Sequence, residues 1–246
     1  AEGADSFYRG PLAKRIAAFG VDMVECGHAK ISEAEVERIR AVVAVSPVPV
    51  LTHARCRIED VDAALTTGAP WIGVFASFND ISLATKFKGM TREDVGGMFE
   101  RTIAYAKRYD LKVRATIEDG GRTAVRDIFT LAAIAQRAGA DRLCFADSVG
   151  MLMPGETFDV LSLLHREFPS LELEYHVHDD QGLALANSLE AMRAGVKWLS
   201  TSCNGIGERA GITDTFQLAA LLHTRFGVDR FQLGQARALS ELVEVY

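Results

Sequence analysis

Short apolar runs alternate along the chain with longer segments whose apolar positions recur every three to four residues. The runs at 21–26, 48–53, 71–75, 111–117, 142–146, 171–178 and 196–202 have the length and residue types of buried strands. Around them the periodicity predicts helices near 11–19, 32–44, 58–67, 91–109, 123–138, 156–167, 181–194 and 214–225. One phrase recurs where a helix gives way to a strand: FGVDM at 19–23, TGAPWI at 67–72, AGADRL at 138–143 and AGVKWL at 194–199. Each places Gly where a helix needs a left-handed residue at its C-terminal end. Strict strand–helix alternation predicts a parallel sheet with helices packed outside it.

Two architectures satisfy that alternation. A doubly wound open sheet carries a phosphate-binding loop after its first strand, and neither GxGxxG nor GxxxxGK[ST] occurs here. A closed barrel suits a chain of 246 residues, since that fold runs to about 250. The expected fold class is α/β, a (β/α)8 TIM barrel. Only seven strands are visible, and AEGADSFYRG at 1–10 is too short and too polar to supply another, so the first strand is expected to be absent from this chain. Residues 1–230 are expected to form the barrel, the catalytic domain with strands 2–8 visible, and 231–246 the start of a C-terminal helical extension.

Composition narrows the partners. With 48% hydrophobic and 24% charged residues this is an ordinary soluble globular protein, not a disordered or collagen-like one. Lys plus Arg is 27 against 33 for Asp plus Glu, a net charge of −6 without a basic run, so neither nucleic acid nor a membrane surface is expected as a partner. No apolar stretch approaches the roughly 18 residues of a membrane span, and no signal peptide opens the chain. Four cysteines, at 26, 56, 144 and 203, form no CxxC pair, which predicts small buried thiols and a cytoplasmic location rather than a disulfide framework.

In barrel enzymes the chemistry sits at the C-terminal ends of the strands. Here Glu25, His53, Asp147 and Asn204 end or follow their runs, Arg114, Thr116 and Glu118 alternate along KVRATIED, and His176 and His178 alternate along EYHVHDD. Residues two apart on a strand face the same way, so each set converges on one side. Two imidazoles at i and i+2 can chelate one cation, and a nearby carboxylate would complete the set. The loop CNGIGERAG at 203–211 has the small residues that allow close backbone approach to a ligand.

Taken together, HVHDDQGLALANSLEAMRAGV at 176–196, NGIGERAG at 204–211, IEDGGRT and ADSVGMLMP resemble the DRE-TIM metallolyase family. Within it they are similar to the acetyl-CoA-dependent 2-oxo-acid synthase branch, which includes homocitrate and isopropylmalate synthases. VLTHARCR at 50–57, VRATIED at 113–119 and GITDT at 211–215 look most like the homocitrate synthase group. The family's first-strand motif, of the form D-x-T-L-R-[DE]-G, is absent.

The resemblance implies a Claisen-type condensation of acetyl-CoA with a 2-oxo acid, giving a 2-hydroxy acid and CoA. His176 and His178 would be metal ligands, with Asn204 in or beside the coordination sphere. Arg114 and Thr116 would bind the 2-oxo acid carboxylate, and Ser148 stands where the family usually has Thr. Glu25 and Glu118 would take the catalytic roles, Glu118 in proton transfer. Gly205, Gly207, Glu208 and Arg209 would form the acetyl-CoA loop. His53 would face a second anionic group, which favours a dicarboxylic acid over a branched apolar one. The implied cofactors are a divalent metal ion (Mg, Mn, Zn or Co) and acetyl-CoA as co-substrate, in a homodimer. Alternatives are an isopropylmalate, citramalate or phosphonomethylmalate type of synthase, a metal-dependent lyase or aldolase of the same family, and a non-catalytic barrel.

Overall fold

The computed structural model describes residues 11–244. Seven strands, β1 (Val24–Glu25), β2 (Val50–Arg55), β3 (Trp71–Ala76), β4 (Lys112–Ile117), β5 (Arg142–Asp147), β6 (Glu172–Val177) and β7 (Trp198–Leu199), pair in chain order. Every pairing is parallel. Ten helices accompany them among the described residues: α1 (Pro11–Phe19), α2 (Glu33–Val45), α3 (Ile58–Leu65), α4 (Asp80–Thr85), α5 (Arg92–Lys107), α6 (Val125–Arg137), α7 (Pro154–Glu167), α8 (Ala184–Arg193), α9 (Thr215–Phe226) and α10 (Ala236–Glu244).

The sheet is curled, and side chains prove it. Glu25 on β1 lies 2.7 Å from Arg114 on β4, whereas three strand spacings in a flat sheet would separate them by about 14 Å. The arrangement is the expected TIM-type barrel with seven strands, and no eighth strand occurs among the described residues, so β1 and β7 are edges. Both edge strands pair over only two residues, shorter than the runs at 21–26 and 196–202, because each has a single neighbour.

Alternation along each strand divides core from site. On β4, Val113, Ala115 and Ile117 join the helix-facing core with Val95, Phe99 and Ile103 of α5 and Leu131 and Ala135 of α6. Arg114 and Thr116 face the barrel interior instead. The predicted helix stops carry positive φ at Gly20, Gly68, Gly139 and Gly195, as the recurring phrase requires.

The helix α4 falls outside the predicted set. Its six residues are too few for periodicity to register, although Asn79 caps it by accepting from Ser82 N. α8 begins at Ala184 rather than 181 because a turn at Asp179–Gly182 precedes it, and the Asp179 carboxylate accepts from Ala184 N. The segment after 230 folds back: Phe19 of α1 meets Phe216 edge-on at 5.3 Å and Phe231 at 5.8 Å. Leu239 of α10 is buried in the same cluster.

Candidate active site

The barrel interior is charged from its floor upward. At the floor, Arg142 on β5 is 1% exposed and lies between two indoles, 4.5 Å from the Trp71 ring and 3.5 Å from the Trp198 ring. Above it Glu174 on β6 bridges two arginines, one carboxylate oxygen accepting from Arg142 Nη1 at 3.0 Å and the other from Arg114 Nη1 at 2.7 Å. The same Arg114 nitrogen donates to Glu25 at 2.7 Å. Glu25 also lies 3.3 Å from His53 Nε2, and His53 Nδ1 is 3.5 Å from Arg114 Nη2. This stacking is possible because Gly73, opposite Arg114 in the β3–β4 register, has no side chain; a Cβ there would come within 3.1 Å of Arg114 Nη2 and 3.3 Å of His53 Nδ1.

Electrostatics follow from the geometry. Burial pushes the Glu25 carboxyl upward, but Arg114 and the hydrogen bond from His53 outweigh it and hold the group far below the ordinary 4.5. Burial works against the Arg114 charge, and Glu174 and Glu25 more than restore it. One step higher on β6, burial pushes His176 down to about 4, with Glu25 opposing and His178, Arg114 and His53 adding to the fall. The imidazole is therefore neutral at physiological pH and free to act as a ligand or acceptor.

His176 and His178 converge as their spacing predicts, Nε2 to Nε2 at 3.3 Å. His176 Nδ1 lies 3.0 Å from Ser200 Oγ. With Nδ1–H donated to that hydroxyl, Nε2 presents a lone pair toward His178. Glu208 approaches His178 Nε2 at 3.7 Å from the glycine loop. Thr116 Oγ1 and Arg114 Nε are buried without a partner beside this cluster.

The remaining predicted residues sit elsewhere. Glu118 turns to the rim, where Lys86 Nζ donates to it at 2.5 Å. Ser148 Oγ accepts from Asp119 N at 2.9 Å, and its carbonyl accepts from Arg209. Asn204 adopts a left-handed backbone and its amide donates to the Ser240 carbonyl of α10, with no hydrogen bond to either imidazole. Arg209 pairs with Asp180 at 2.7 Å instead of with its neighbour Glu208, tying the loop of Gly205 and Gly207 to the end of β6. Asp147, fully buried, accepts from Met151 N and Leu152 N and so shapes the β5–α7 loop.

The profile of the HMGL-like family matches residues 9–243. The chain belongs to the HMGL-like family. Homocitrate synthases of Saccharolobus islandicus and Saccharolobus solfataricus are 38% and 37% identical to it over 240 residues, 96% of this chain and 52% of theirs. The chain thus spans about half the length of the curated relatives it matches. Its backbone superposes on Bacillus subtilis HMG-CoA lyase with a TM-score of 0.86 at 18% identity, covering 98% of this chain and 86% of that one. That likeness is one of fold, and it places the seven strands on an HMGL-like barrel.

Sequence reasoning missed Glu174, Arg142 and Gly73 in this HMGL-like interior. Glu174 had a signal, since it precedes His176 by two positions and so shares its face. Arg142 had none, because Trp71 and Trp198 reach it from other strands. Among the described residues no group of three or more His, Cys, Asp or Glu side chains is placed to enclose a metal ion. The two imidazole Nε2 atoms lie 3.3 Å apart, and a cation held there would draw its remaining ligands from elsewhere.

Proposed function

We propose that this barrel condenses acetyl-CoA with a dicarboxylic 2-oxo acid in the manner of a homocitrate synthase. The observation that carries the reading is the 38% identity to homocitrate synthases along 96% of the chain. The Arg114–His53 pair supports the choice of substrate. A 2-oxo acid with two carboxylates needs a cationic fork and a second polar contact, and a branched apolar acid would need a wall without charge.

Arg114 receives the carboxylate beside the keto group. Its Nη1 is committed to Glu174 and Glu25 and one Nη2 hydrogen faces His53, which leaves the other Nη2 hydrogen and the unpartnered Nε to the substrate. Thr116 Oγ1, buried without a partner two residues along the same strand, supplies a second donor. His53 faces the far carboxylate. His176 and His178 would hold a divalent cation, and their convergent Nε2 atoms and the neutrality of His176 fit that role. Such a cation, when bound, supplies Lewis-acid polarisation of a carbonyl.

The methyl carbon of acetyl-CoA loses a proton and bonds to the keto carbon, whose oxygen gains a proton. Water then cleaves the thioester, releasing CoA and a carboxylate. Glu118, paired with Lys86 at the rim, carries protons between the mouth and solvent. Asp180 anchors Arg209, and with it the loop of Gly205, Gly207 and Glu208 at the acetyl-CoA side. A lyase running the reverse cleavage would use the same groups.

The test is CoA release from the full-length protein, followed with a thiol reagent after adding acetyl-CoA and 2-oxoglutarate. The synthase reading expects release that needs both substrates, and loss of both turnover and retained metal in His176→Ala. Full turnover in a metal-stripped His176→Ala protein would sink it.

A further inference from the structure

We infer that Glu174 is the positioning residue of Arg114, and that the Trp71–Arg142–Trp198 stack is the rigid base that holds it. The inference rests on the reading of Arg114 as the carboxylate receptor. Arg114 Nη1 donates to two carboxylates at the same distance, 2.7 Å, but these partners differ in kind. The Glu25 side chain is 32% exposed and is shared with His53. The Glu174 side chain is 3% exposed, and its second oxygen is fixed by Arg142. Arg142 in turn cannot swing, because indole faces at 4.5 Å and 3.5 Å confine its guanidinium and its Nη1 also touches Met23 Sδ at 3.8 Å.

The chemistry requires a carboxylate at 174. Its two oxygens accept from two arginines, and a carboxamide offers one acceptor and one donor that repels the second arginine. The three charges then make a column: Arg142 cationic, Glu174 anionic, Arg114 cationic. Without Glu174 the Arg114 guanidinium is free to fold onto Glu25, away from an incoming carboxylate. Glu174 does not touch the substrate. It acts through the orientation of Arg114.

The test uses the full-length protein and two independent readouts. In steady-state kinetics with acetyl-CoA saturating, Glu174→Gln should raise the KM for 2-oxoglutarate about tenfold or more, the effect of losing a charge-assisted contact. Its kcat should change less, and its KM for acetyl-CoA should stay within twofold of the parent. A structural role alone would lower kcat and thermal stability at unchanged KM, and that result overturns the inference. The second readout needs no activity and no folded Glu174 variant. With arginine side chains labelled with 15N, Arg114 and Arg142, assigned from Arg114→Lys and Arg142→Lys, should show restricted rotation, with separate Nη signals at 25 °C. Freely averaging Nη signals for Arg114 overturn the inference. A parent that releases no CoA refutes the proposed function instead, and the spectrum still decides whether Arg114 is held rigid.

Discussion

Adding one methyl group at residue 73 should disturb the site more than its size suggests. A Cβ on Gly73 would lie 3.1 Å from Arg114 Nη2, 3.2 Å from Leu51 Cδ2 and 3.3 Å from His53 Nδ1. Each contact asks its neighbour to give by a few tenths of an ångström. Two of the three have little freedom: Leu51 is fully buried, and Arg114 is pinned by two carboxylates at 2.7 Å. Overpacking of this kind costs about 1–3 kcal/mol, and in a domain of this size that lowers Tm by roughly 2–12 °C. Because the displaced atom belongs to the arginine proposed to receive the substrate carboxylate, Gly73→Ala should also raise the KM for 2-oxoglutarate by about threefold to tenfold. Differential scanning calorimetry and steady-state kinetics measure the two effects. Gly155, on α7 with no atom within 4 Å of its added Cβ, supplies the control, and Gly155→Ala should leave both unchanged or raise Tm slightly. A Gly73→Ala protein with parental Tm and KM would refute a tightly fixed Arg114.

Other consequences follow from the same contacts. Asp147→Asn replaces one of the two acceptors serving Met151 N and Leu152 N with a donor, and should lower stability in urea by about 1–3 kcal/mol. Glu25 is held below its ordinary 4.5 by Arg114 and His53 against the opposing effect of burial, so its stabilising contribution is present above pH 4.5 and is lost as pH falls toward the lower folded value. The Tm gap between parent and Glu25→Gln should therefore narrow from pH 6 to pH 3, and a gap that widens on acidification contradicts the assignment. Burial, with nearby carboxylates, pushes the Cys26 and Cys56 thiols up to about 12 and Cys203 to about 11. A disulfide reagent at pH 8 should thus leave the native thiols largely unmodified over minutes and label all four after denaturation.

The seven strands and eight of the ten described helices were legible because parallel strands buried on both faces read as apolar runs and their helices as regular periodicity. α10 lies in the stretch expected as the start of a C-terminal helical extension, and α4 is too short to repeat. The shared facing of Arg114 with Thr116 and of His176 with His178 was legible from alternation on one strand. Glu118 shows the limit of that rule. It continues the alternation past the end of β4, where the chain leaves the sheet and Lys86 of the neighbouring segment captures the carboxylate. The column of Arg142, Glu174 and Arg114 was illegible for a different reason. It is assembled across the neighbouring strands β4, β5 and β6 by their parallel pairing, and no local pattern encodes contacts between side chains so far apart in sequence.

On the proposed function, Arg114 and His53 select a 2-oxo acid with two carboxylates. The direct measurement is kcat/KM for CoA release by the full-length protein across 2-oxoglutarate, oxaloacetate, phosphonopyruvate, pyruvate and 2-oxoisovalerate. The dianionic acids should lead, with 2-oxoglutarate first, and preference for 2-oxoisovalerate would contradict the account.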